Sequence, residues 1–345
     1  MAEISVTTGI LRLFRIRQAL HHDQNLLTLW ELLTLKRFGM LSTDNRDFIY
    51  ALLGISNDAA EKHLYPDYTK DAVEVYTAVA KRFLADGVLR TLWLCAHSRR
   101  LNGLPSWVPD WSSTWQTDRR YLSTDAGYGT GSRIFCAAGQ TRPSVSFSSK
   151  NGRMVLHLEG FIVDIVSTTK SAFKMELDSK EGGLLRARHT LQTHFRQFWN
   201  LQQNQDATLR TGIADIEHVW GPNLTFTYRR STRRMRRQLW DSLFSAAHSE
   251  SGLETGTLNL PTSHVDILFR HNGRRPFITS GDHLGLGPAK LQSGDLVVIA
   301  YGSEVPLILR PENGHYKFVG EAYVDGIMDG QALAMGLEER TFDIT

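Results

Sequence analysis

The sequence predicts an α+β fold: a helical N-terminal part, a mixed central region and a C-terminal antiparallel β module, read as a possible small barrel. Three observations carry this. Apolar residues between Leu26 and Phe83 recur at helical spacing, Met154–Val166 alternates as a strand does, and Gly273–Gly330 is a series of short apolar runs cut by tight turns. The 345 residues, 41% hydrophobic and 22% charged, are enough for a substantial core in one large domain or two smaller ones.

Residues 1–41 read as helical, with Leu26, Leu27, Trp30, Leu33 and Leu35 near helical spacing. Glu3 precedes any basic residue, and Arg12, Arg15 and Arg17 interrupt the apolar part, a pattern of an amphipathic helix and not of a secretory signal. Asp44 is placed to cap the next helix, Asp47 favours its positive end, Phe48, Ile49, Ala51, Leu52 and Leu53 supply its buried face, and Gly54 closes it. Pro66-Asp67-Tyr68 is a turn, after which Thr69 can cap a helix carrying Ala72, Val73, Tyr76, Val79, Ala80 and Phe83, ended by Gly87. Val88–Ala96 is apolar but too short to separate helix from strand.

Leu104–Ser112 holds Pro105 and Pro109 and cannot be regular helix; it is an extended segment pinned by Trp107 and Trp111. Arg119–Ser149 is rich in Gly, Ser and Thr and reads as loop or loose edge, with a strand expected at Arg133–Ala138. The hairpin turn Asn151-Gly152 precedes the strand Met154–Val166. Residues 167–260 return to a helix-like, polar composition. In the β module, Pro311–Gly314 is the turn between strands Val305–Leu309 and Tyr316–Val319. The resulting regions, 1–118, 119–260 and 261–345, are expected to pack as one compact unit.

Composition narrows the function classes. No run of about 18 apolar residues occurs, so no membrane span is expected. A net charge of +3 does not point to nucleic acid. Cys95 and Cys136 are too few and too far apart for a disulfide framework or a cysteine zinc site. A reducing, cytoplasmic compartment fits, in which the sequon Asn223-Leu224-Thr225 stays unmodified. His21-His22-Asp23 and His189/His194 lack the i, i+4 histidine pair with a nearby acid, so no metal is expected. The glycines at 127, 129 and 131 and those at Gly285 and Gly287 read as turns, no Gly-x-Ser-x-Gly elbow occurs, and no cofactor is expected.

Four segments carry a family resemblance. Thr43–Gly54 (TDNRDFIYALLG), Pro66–Tyr76 (PDYTKDAVEVY), Leu104–Ser112 (LPSWVPDWS) and Gly273–Gly330 resemble, in that order, signatures of the fungal heterokaryon-incompatibility (HET-domain) proteins. Val155–Val166 is similar to a weaker segment of the same family. Asn45 stands where the family usually has proline, and Gln331 where it usually has an acidic residue. In the full family a preceding region contains a "Y.ALSYVWG" motif tied to cell death and distantly similar to TIR domains. Nothing like it is found here, and the resemblance implies a chain corresponding to the region downstream of that effector half.

Two clusters are candidate binding residues. Trp107, Asp110 and Trp111 could form an apolar wall with one carboxylate as acceptor, although pinning a loop to the core is the plainer role. Arg310, Glu321, Tyr323 and Asp325, with Asp329, could line a pocket mouth, although ion pairing that fixes strand register is the plainer role. The run Arg229, Arg230, Arg233, Arg234, Arg236 and Arg237 reads as a solvated helix paired with acidic neighbours in preference to a phosphate or nucleic-acid contact, because no aromatic platform interleaves it. By elimination, the sequence suggests a family member recruited to fungal secondary metabolism. It would bind an apolar terpenoid or polyketide intermediate and catalyse a cofactor-free cyclisation such as a [4+2] cycloaddition (a Diels-Alderase) by holding a reactive conformer. The alternatives are an incompatibility or allorecognition factor and a non-catalytic module with a protein partner.

Overall fold

The structure is a computed structural model, which describes residues 28–35, 42–58, 63–96, 99–113, 133–150, 152–174, 183–220, 226–244 and 271–345. His21-His22-Asp23, the glycines at 127–131 and the Asn223 sequon lie outside them. By internal contacts the chain divides into two units, Met1–Thr117 with Val145–His157 and Asp343–Thr345, and Asp118–Ser144 with Leu158–Phe342.

The first unit contains helices α1 (Leu29–Leu35), α2 (Asp47–Leu53) and α3 (Ala72–Ala85), a 3-10 segment at Leu89–Ala96 and strand β1 (Val145–Lys150). Two capping expectations are corrected. Asp44 does not cap α2, whose N-cap is Arg46; its carboxylate instead accepts from the backbone N–H of Arg46 at 2.9 Å and pairs with that residue's guanidinium at 2.6 Å. Thr69 does not cap α3, because its N–H and hydroxyl both donate to Asp67 Oδ1. Asp71 takes the position, in a reciprocal capping box with Glu74. Helix α3 buries Val75, Tyr76, Val79, Ala80, Phe83 and Leu84; Tyr76, Val79, Ala80 and Phe83 are on the stripe that the sequence spacing marks, whereas Ala72 and Val73 are only half-buried. Gly87, at φ 81°, allows the chain to leave the helix.

The second unit holds the β module and a helical layer. Strand β2 (Arg153–Thr169) begins in the first unit and continues here. It is followed by α4 (Gly183–Trp199), α5 (Gln205–Gly212), β3 (Ile216–Trp220), β4 (Phe226–Arg230), α6 (Arg233–Phe244), β5 (Arg275–Thr279), β6 (Leu284–Gly287), β7 (Leu296–Ala300), β8 (Leu307–Glu312), β9 (His315–Glu321), β10 (Tyr323–Val324) and β11 (Glu339–Ile344). One sheet runs β10-β6-β5-β2-β11-β9-β8-β7, and β7 pairs again with β2, so that β2, β11, β9, β8 and β7 close into a ring. The long β2 serves both parts: Gly160–Ile165 closes the ring against β7, and Val166–Thr169 pairs with β5, with a register shift in each stretch. Gly160 permits the closure, because a Cβ there would lie 2.7 Å from the Ala300 Cα. The β8–β9 hairpin turns at Asn313 and Gly314, at φ 49° and 79°, as a tight two-residue hairpin requires.

Phe161, Val297, Ile299, Ile308 and Val319 belong to the core of this module. A separate core of Phe173, Leu191, Phe195, Leu209, Leu239 and Leu243 joins α4, α5 and α6. The expected strand at Arg133–Ala138 does not form. The N–H groups of Cys136, Ala137 and Ala138 are satisfied one by one by the carbonyls of Met328, Glu304 and Ser303, so no ladder is needed. The antiparallel hairpin β3–β4 lies within a stretch whose composition reads as helical. Among the described residues no helix is long and apolar enough to cross a membrane.

Candidate functional site

The family segments of the first unit are a hydrogen-bonded clasp. Arg46 donates to the carbonyls of Tyr68 and Lys70 at 2.7 and 2.9 Å while its guanidinium lies 5.0 Å from the Tyr68 ring centroid. The hydroxyls of Tyr50, Tyr68 and Tyr76 donate to the Asp67 carbonyl, the Asp47 carboxylate and the Asn45 carbonyl. TDNRDFIYALLG and PDYTKDAVEVY are therefore two halves of one contact.

The LPSWVPDWS segment is wired in the same way. Arg99 donates to the carbonyls of Leu104, Pro105, Ser106 and Val108 at 2.6–3.2 Å. Asp110, 3% exposed, accepts from the backbone N–H groups of Arg100, Leu101 and Ser112 and from the Ser112 hydroxyl. Trp107 and Trp111 are buried, Trp107 beside Phe147 and Trp111 edge-on to Tyr76. Their indole N–H groups have no partner among the described residues, so the rings act as apolar mass. This is the pinning role, with the carboxylate turned inward.

The polar residues of the β module do not gather into one pocket mouth. Arg310 forms a two-point pair with Asp295 at 2.7 and 2.9 Å, and Asp295 also accepts from the N–H of Gln292. Glu321 pairs with Arg274, both side chains almost fully buried. Tyr323 donates to Asp325 at 2.9 Å, and Asp325 accepts both Nε and Nη2 of Arg210. Asp329 meets Arg230 at 3.1 Å. Burial, then the Asp325 charge, pushes the Tyr323 phenol well above its ordinary value, so it stays a donor. These are separate ion pairs and hydrogen bonds that tie strands to neighbouring segments.

The arginine run lies on two elements, Arg229 and Arg230 on β4 and the other four on α6. Asp215 holds Arg230 at 2.8 Å and Arg236 at 3.3 Å, and accepts from the Ser231 hydroxyl. Asp206 joins Arg236 to Arg210. Glu217 takes Arg229 at 2.6 Å and the N–H and hydroxyl of Thr232 at the start of α6. Burial pushes the Asp215 carboxyl up despite its hydroxyl and guanidinium partners, which lower it. Pairing with acidic neighbours therefore accounts for three of the six arginines. The remaining three, Arg233, Arg234 and Arg237, are exposed and have no ion pair or hydrogen bond among the described residues. They line a groove of about 580 Å³ between α5 and α6, with Leu209 and the amides of Gln205 and Gln238. Sequence reading recognises the run but not this division, which depends on where Asp206, Asp215 and Glu217 fall in space.

His194 is not a metal ligand in waiting. Its ring is buried among Phe173, Phe195 and Phe198, with Nε2 3.1 Å from the Gly212 carbonyl and Nδ1 without a partner. Burial pushes its pKa down to about 4. The unfolded chain binds this proton near pH 6.5, so the contribution to stability is complete above that pH and is lost as pH falls toward 4, by about 3 kcal/mol. Urea titrations at pH 7 and pH 4.5 are expected to show this loss, and His194→Phe is expected to remove most of that component. Among the described residues, no group of three His, Cys, Asp or Glu is placed to hold a metal ion.

Comparison with known proteins gives this geometry a context. Residues 253–344 match the Het-6 β-barrel domain. The chain is 27% identical to heterokaryon incompatibility protein 6, OR allele, of Neurospora crassa, over 84% of this chain and 49% of that protein. It is similar to a heterokaryon-incompatibility protein over most of its length. The matched residues contain β7, β8, β9 and β11 of the closed ring, while β2 lies outside them. The chain spans about half the length of that Neurospora relative. No solved structure matches it.

Proposed function

We propose that this protein acts in heterokaryon incompatibility as a cytoplasmic recognition component that binds a protein partner. The supporting observation is that similarity to an incompatibility protein extends over 84% of the chain. It is joined by the structural use of the family segments: the clasp of Arg46, Tyr50, Tyr68 and Tyr76 and the Asp110 loop stiffen a scaffold. A rigid scaffold presents a surface at low entropic cost, which suits recognition.

The cyclase reading draws no support from the relatives. The side chains that would have walled its apolar pocket, Trp107 and Trp111, are consumed by packing, and Asp110 by backbone hydrogen bonds. We therefore carry the incompatibility reading alone. Its test is forced heterokaryon formation between fungal strains with and without the gene. Growth arrest or death of fused cells, dependent on the gene, is the expected result. Normal growth in every pairing, with the protein present at normal levels, would overturn it.

A further inference from the structure

We propose that the groove between α5 and α6 is a docking site for an extended acidic segment of the partner protein. The inference rests on the incompatibility reading for the kind of partner, and on the groove alone for its chemistry. Arg233 and Arg237 are four residues apart on α6, and Arg234 and Arg237 three apart, so the three guanidiniums share one ridge. They lie where the helix dipole is positive or neutral, and the first turn contains no acidic residue to offset them. Like charges at these spacings destabilise a helix. Other arginines nearby are neutralised by Asp206, Asp215 and Glu217, whereas these three face solvent. Bound carboxylates would relieve that repulsion and match the planar guanidinium fork.

The rest of the groove selects among anions. Gln205 and Gln238 offer amide donors and acceptors suited to a peptide backbone, and Leu209 gives an apolar floor. No aromatic ring lines the groove, so nucleobases have no stacking platform. Asp206 and Asp241 also line it. A compact polyphosphate would bring its dense charge against these carboxylates, but an extended segment can set spaced Glu or Asp residues on the arginines and avoid them. Charge complementarity across such a surface mainly sets specificity and association rate, and is weakened by salt.

The test uses the whole chain and a fluorescent peptide of alternating Glu and Ser, about twelve residues long, followed by anisotropy at low salt. Binding to the native protein is expected, and Arg233→Gln, Arg234→Gln and Arg237→Gln together should weaken it by about tenfold or more. The triple lysine variant, which keeps charge but loses the fork, should weaken it by only about two- to threefold. All three side chains are exposed, so circular dichroism should be unchanged in both variants, and melting should stay level or rise by about a degree or two in the glutamine form as the like-charge repulsion is removed. Failure of the native protein to bind, or equal binding by the native and glutamine forms, overturns the proposal. So does displacement by inorganic triphosphate or a single-stranded oligonucleotide at lower concentration than unlabelled peptide. A negative peptide result with gene-dependent death in fused cells removes this site and leaves the incompatibility role standing. Peptide binding without such death removes the role and leaves an acidic-ligand groove.

Discussion

Replacing Glu321 by alanine is expected to destabilise the barrel-containing unit by about 3–5 kcal/mol, the cost of stranding one member of a buried ion pair. The Glu321 and Arg274 side chains are 2% and 5% exposed, and Arg274 also donates to the Glu321 carbonyl at 3.1 Å. Removing the carboxylate leaves a guanidinium in a low-dielectric setting with only that neutral acceptor from Glu321, and the charge cannot be shed because arginine does not deprotonate. The same reasoning separates the pair from its parts. Glu321→Leu combined with Arg274→Met removes both charges and should recover most of the loss. Equilibrium urea unfolding of the single and double variants measures this. A single variant whose midpoint is unchanged, or a double variant less stable than the single, would contradict a buried pair.

Glu321 sits 47 positions from Arg274, and neither residue carries a local pattern that names its partner. The same holds for Asp325 with Arg210 and for Asp329 with Arg230. Local chemistry is readable: most of the α3 stripe and the Asn313-Gly314 hairpin follow from side-chain period and turn sterics, whereas β2 buries adjacent pairs, Val155 with Leu156 and Gly160 with Phe161, and does not strictly alternate. Capping depends on which neighbour takes each side chain: Asp44 is held by Arg46 and Thr69 by Asp67, which leaves Asp71 to accept from the Glu74 N–H at the start of α3. The β3–β4 hairpin is not legible in the sequence because Ile216–Trp220 and Phe226–Arg230 are too short to outweigh the polar sequence around them.

The candidate site shows the same limit from another side. A dense arginine run states charge but not occupancy, and occupancy decides whether the run is structural or available. Arg229, Arg230 and Arg236 are neutralised by residues from α5, β3 and the turn between them, or from the end of the β module. Arg233, Arg234 and Arg237 are one or a few positions away, yet they form no ion pair with those acids among the described residues, although Asp206 lines the same groove. The break between β4 and α6, together with the helical spacing within α6, thus divides one sequence cluster into a structural half and an available half, and only the second is a candidate for recognition.

In the first unit, Asp110→Ala is expected to cost about 3–5 kcal/mol. Its two oxygens accept, at 2.5–2.9 Å, from the backbone N–H groups of Arg100, Leu101 and Ser112 and from the Ser112 hydroxyl. Alanine leaves those donors without their acceptor, and an unsatisfied buried donor costs about 1–3 kcal/mol, reduced where water can enter. The loop would then lose its hold on Trp107 and Trp111, whose burial depends on the backbone that Asp110 and Arg99 fix. Asp110→Asn keeps one carbonyl acceptor and should lose roughly half as much. Thermal unfolding, with indole fluorescence reporting the loosened loop, distinguishes this from a ligand-binding role. A structural carboxylate gives a lower midpoint in the absence of any ligand, whereas a binding carboxylate facing a pocket would leave the midpoint near the native value. An unchanged midpoint in Asp110→Ala would return the residue to the list of candidate ligand contacts.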